Sequence, residues 1–119
     1  MKKIIAAAAL AITATAVQAE TARVVDYNTG NQITISRNDI DSTDLMCIAR
    51  LSVVRDFLFN TGQGRSQGMR ELTDAQDAFF LKYDFTVPTR WIDAEKAQYL
   101  RNIQTLTPKQ IEDSVAICL

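Results

Sequence analysis

The sequence predicts an all-α fold: a small four-helix bundle with one disulfide, preceded by a short extended or hairpin-like N-terminal arm at residues 20–39. Three observations carry that expectation. Apolar residues recur at helical spacing in four segments after Asp41. The breaks between those segments hold Gly or Pro. The two cysteines, Cys47 and Cys118, fall on the apolar stripes of the first and last segments. The expected division is a leader at 1–19, the arm at 20–39 and a helical domain at 40–119.

The leader has three parts. Lys2 and Lys3 form a positive start, Ile4 to Val17 carries no charge, and Val17-Gln18-Ala19 places small or slim residues where a signal peptidase reads them. That layout is a secretory signal peptide, cleaved after Ala19. Read as a membrane anchor, the stretch falls short of the roughly 18 apolar residues a bilayer demands. Thr13 and Thr15 weaken it further, and no cysteine marks a lipid-attachment point. The alanine-rich core has a bacterial character, so the expected destination is the periplasm, with secretion into the medium as the alternative.

The mature chain then runs from Glu20 to Leu119, enough for one domain with a modest core. Without Lys2 and Lys3, 11 basic residues face 14 acidic ones, a net charge of −3. No nucleic-acid partner is expected of such a chain, because neutralising phosphates takes an excess of Lys and Arg. No stretch of the mature chain is apolar for long enough to cross a membrane. Two cysteines in an oxidising compartment predict a Cys47–Cys118 disulfide. A redox-active pair would instead show a close C-x-x-C spacing.

In the arm, Val24, Val25, Tyr27, Ile33, Thr34 and Ile35 favour strands, and Asn28-Thr29-Gly30-Asn31 is a turn cluster. The segment reads as a short hairpin or as a loosely ordered arm. From Asp41, the run Asp41-Ser42-Thr43-Asp44 supplies cap residues. Cys47, Leu51, Val54 and Leu58 then make one stripe, which Asn60-Thr61-Gly62 ends. Gly62 to Gly68 holds three of the four glycines and reads as a mobile loop. A second helix is expected over Met69 to Tyr83, unless Thr73-x-x-Gln76 is a capping box that moves its start to residue 74. Val87-Pro88 opens a third helix running to about Thr105. Thr107, Pro108 and Gln110 form a capping box with proline at the first helical position, opening the fourth.

The chemistry is narrowed by what is missing. With no histidine, Ser-His-Asp and Cys-His catalysis are excluded, and with both thiols oxidised zinc has no good ligand set. No cofactor is expected: the glycines of residues 62–68 follow a helix and lack the Gly-Lys-Ser/Thr ending of a phosphate loop. As a calcium loop starting at Asp39, the acidic run would place Asp44 where glycine is needed and Arg50 where a glutamate is needed, so no metal is expected there. Carboxylates remain. Asp74, Asp77, Asp84, Asp93 and Glu95 would form an acid/base pair only if two of them converged in a pocket.

Aromatic residues cluster late, at Phe79, Phe80, Tyr83, Phe85, Trp91 and Tyr99, and Phe79, Phe80, Phe85 and Trp91 cannot all face one small core. Lys82, Phe85, Arg90 and Trp91 are therefore the candidate binding surface, an aromatic patch rimmed by cations. The competing reading has Trp91 plugging the end of the bundle.

The half from Cys47 to Cys118, with a cysteine early in the first helix, the run Ala78-Phe79-Phe80-Leu81 in the second and a cysteine near the end, resembles a set of small exported helical two-cysteine proteins of Gram-negative bacteria. The resemblance implies the bundle and the export and carries no activity. In plan alone the chain is similar to periplasmic acid-stress chaperones and immunity proteins. The functional expectation is a non-enzymatic exported protein that binds a periplasmic protein partner or a small ligand, the alternative being a small carboxylate-dependent enzyme.

Overall fold

A computed structural model describes residues 20–119; the expected leader lies outside the described residues. The arm is a hairpin. Strand β1 (Thr21–Val25) pairs antiparallel with β2 (Gln32–Ser36), Thr21 opposite Ser36 and Val25 opposite Gln32. The turn between them is built from its own side chains. Asp26 accepts from the Asn28 N–H at 3.0 Å and from the Thr29 hydroxyl at 3.1 Å. Gly30 takes φ +74°, a left-handed value that glycine adopts without strain.

The fold is mostly helical, but the hairpin makes it other than all-α. Helix α1 (Ser42–Asn60) starts at Asp41, whose carboxylate accepts from the Thr43 and Asp44 N–H groups. It ends at Thr61, where Gly62 turns left-handed at φ +81°. Helix α2 (Gln67–Phe80) is capped by Ser66, whose hydroxyl accepts from the Met69 N–H at 3.1 Å. It therefore starts two residues before the expected Met69 and stops short of Tyr83. The Thr73–Gln76 capping box does not form. The Thr73 hydroxyl donates to the Met69 carbonyl, and Gln76 reaches across to α1 instead. Helix α3 (Thr89–Ile103) follows Pro88, which caps it without a side-chain bond. Helix α4 (Pro108–Ala116) opens on the expected Thr107–Gln110 box, both reciprocal bonds present.

Helix α1 is the axis of the molecule. Helices α2 and α3 pack along it, and α4 joins it through the disulfide. Cys47 and Cys118 are bonded with Cα atoms 5.4 Å apart, closing a separation of 71 residues. One apolar cluster surrounds that bond and takes Leu51, Leu72, Tyr99 and Val115. The other joins the hairpin to the helices: Val24 and Ile35 from the strands meet Leu45, Val87 and Trp91. The alternation of β1 and β2 gives those two residues to one face. Leu45, Ile48 and Leu51 are fully buried, each contributing about 1.5–3 kcal/mol. Among the described residues no helix is long and apolar enough to cross a membrane.

Candidate functional site

The four residues read as a binding surface sit around one helix junction but in unlike environments. Trp91 is 1% exposed. Its indole N–H donates to the Glu20 carboxylate at 2.9 Å, and the Arg37 and Arg90 guanidinium groups lie 5.9 and 5.7 Å from the ring centroid. It plugs the space between hairpin and helices, and offers no free ring face. Phe85 is half-buried, tilted against Tyr83 with ring centroids 5.6 Å apart. Lys82 extends away to Asp44. Arg90, like Lys82, reaches open surface; its guanidinium donates to the Thr21 carbonyl.

The carboxylates do not converge. Asp74, Asp77, Asp84 and Asp93 are exposed, and Glu95 is paired with Arg37 at 2.7 Å. The buried carboxylate is Asp44, which composition and spacing marked only as a cap residue. It accepts from the Tyr83 phenol at 2.6 Å and from the Lys82 ammonium at 2.9 Å. Burial pushes its pKa up, but those two hydrogen bonds and the Lys82 charge outweigh burial and hold it below the ordinary carboxyl value. The same burial and the same carboxylate push Tyr83 up to about 12. This is a closed structural clamp between α1 and the segment after α2. A second polar network ties α1 to α2: buried Gln76 donates to the Ile48 carbonyl at 2.9 Å and to the Ser52 hydroxyl at 2.5 Å, and accepts from Arg55.

One feature with room for a ligand is the outer edge of β1. Pairing with β2 uses alternate residues. The bonds Arg37 N–H to Glu20 carbonyl and Asp26 N–H to Asn31 carbonyl fix the even-numbered residues of β1 on the inner side. Thr21, Arg23, Val25 and Tyr27 turn their backbone groups outward. A third strand begins there: the Tyr27 N–H donates to the Asp84 carbonyl at 2.8 Å and the Thr86 N–H to the Val25 carbonyl at 3.2 Å, around the bridge Asp26–Phe85. It continues no further. The same register would bring Pro88 opposite Arg23, and proline has no N–H for the Arg23 carbonyl. The chain leaves into α3, and a groove of about 410 Å³ opens between β1 and Thr86–Arg90. Buried Val87 and Pro88 form its floor, and exposed Arg23 and Arg90 its rim. Sequence reasoning found Arg90 but missed Arg23 and Val25, because only tertiary pairing tells an inner from an outer edge.

Among the described residues no group of three His, Cys, Asp or Glu is placed to hold a metal ion. No protein-family model matches this chain, and neither a curated protein nor a solved structure matches it.

Proposed function

We propose that this chain is an exported, non-enzymatic binding protein of the periplasm, and that its partner is a polypeptide docked in the groove beside β1. The observation that carries the reading is an unfinished sheet edge: the backbone donor and acceptor of Arg23 stand unpaired beside a groove with an apolar floor. Exposed edges of this kind are templates for another chain. The dispersal of Asp74, Asp77, Asp84 and Asp93 over exposed surface weighs against the carboxylate-enzyme alternative. The Cys47–Cys118 bond suits an oxidising compartment, in keeping with the leader's composition.

Site-specific photo-crosslinking in the producing cell tests this. A photoreactive residue at Thr89, in the groove, should trap a discrete adduct. The same residue at Asp74, on the exposed face of α2, should not. Absence of adducts at Thr89, or equal adducts at both positions, would overturn the reading.

A further inference from the structure

We infer that the groove takes an acidic, extended segment, which adds to the outer edge of β1 as the strand that Pro88 prevents the chain from supplying itself. The inference rests on the polypeptide-binding reading above and names the chemistry of the partner.

The backbone sets the mode. Arg23 presents both its N–H and its carbonyl outward, and neither has a partner among the described residues, whereas Thr86 already stands opposite Val25. An extended segment laid along β1 at Arg23 satisfies both groups, whereas a helix, whose backbone groups are already paired, satisfies neither. The pleat sets the pattern. Val24 faces the core and Arg23 and Val25 face outward, so alternate side chains of an added strand fall over Val87 and Pro88 while the others lie beside Arg23.

Charge sets the composition. The residues lining the groove include Arg23 and Arg90 and no carboxylate. Of the acids nearby, Glu20 accepts from Trp91 and Asp26 is bound within its own turn, while exposed Asp84 lies outside the lining. Arg23 has no ion pair or side-chain hydrogen bond among the described residues, although the mature chain as a whole is acidic. An added strand carrying apolar and acidic residues alternately matches floor and rim together. A second copy of this chain matches poorly, since two β1 edges would set Arg23 beside the like charge of its neighbour.

The test uses the exported, disulfide-bonded chain and three labelled octapeptides, read by fluorescence anisotropy. The first alternates Val with Glu, the second Val with Lys, and the third is the Val-Glu peptide N-methylated on alternate residues. The Val-Glu peptide should bind at least tenfold more tightly than the Val-Lys peptide. R23E should reverse that preference, and N-methylation along the pairing edge should weaken binding tenfold or more with no change to the protein. Equal binding of the Glu and Lys peptides, indifference to R23E, or no binding of any peptide at millimolar concentration would each overturn the inference. So would a dimer in which the Arg23 amide is protected. If adducts still form at Thr89 while the Val-Glu peptide fails, the acidic-strand chemistry is wrong and the binding reading stands; if no adducts form, the binding reading itself fails.

Discussion

The phenol of Tyr83 donates a 2.6 Å hydrogen bond to the carboxylate of Asp44, which lies 39 residues earlier and only 8% exposed in the first turn of α1. The Asp41 N–H donates back to the same phenol oxygen at 3.0 Å. One side chain thus holds both the cap and the first turn of the central helix, and fixes where the chain goes after α2.

That clamp makes stability depend on pH at both ends. Asp44 titrates lower in the folded chain than unfolded, so its contribution is present above about pH 4 and is lost as pH falls through the folded value. Tyr83 titrates higher when folded, so its contribution is present below its ordinary pKa of 10.0 and is lost as pH rises through about 12. Thermal melts across the acid range should show a steeper loss for the native chain than for Asp44→Asn, and melts across the alkaline range a steeper loss than for Tyr83→Phe. Tyr83→Phe should cost about 2 kcal/mol at neutral pH, a bond to a charged group. Parallel profiles for native and substituted chains would contradict the clamp.

Reduction should loosen α4. Besides the disulfide, that helix is held by the Arg50 guanidinium on the Ser114 carbonyl at 2.7 Å and by a Tyr99–Ser114 hydroxyl contact at 2.7 Å. Cutting a loop this long removes about 4 kcal/mol of unfolded-state restriction, which should lower the melting temperature by more than about 10 °C in a domain this size. Thiol labelling under denaturing conditions without reductant should find no free cysteine; two free thiols per chain would contradict the bond.

Trp91→Ala should unfold the hairpin from the helices. It deletes the largest fully buried side chain, the Glu20 bond and the surface under two guanidinium groups. The expected cost is about 3–5 kcal/mol. A folded mutant with a near-native melting temperature would show that the hairpin docks without it.

Trypsin should cut first at Arg65. The turn between α1 and α2 leaves Arg65 exposed outside any helix, while Arg70 is within α2. A first cut at Arg50 or Arg101 would contradict the helix boundaries.

Much of this was legible locally. Asp41, Thr107 and Pro108 mark helix starts through their own hydrogen-bonding chemistry, and Cys47 and Cys118 declare their bond by type, number and stripe. The errors lie where a side chain serves a distant partner. Gln76 has the spacing of a capping box, but the Ile48 carbonyl and Ser52 hydroxyl hold it on another helix. Asp44 reads as a cap because nothing local points to Tyr83. Trp91 stays open between anchor and plug in the sequence because the strand pattern of Val24 and Ile35 does not reveal that they cover it. Pro88 was visible as a helix start; that it also halts a third strand depends on the pairing of Val25 with Thr86, far apart in the chain.

Amide hydrogen exchange along β1 tests the open edge most directly. It should be measured in the free chain and in the complex trapped through position 89. In the free chain the Ala22 and Val24 amides, paired to β2, should exchange slowly, and the Arg23 amide fast. In the complex all three should be slow. Protection of Arg23 in the free monomer, or its fast exchange in the complex, would contradict the claim that the outer edge of β1 is the docking site.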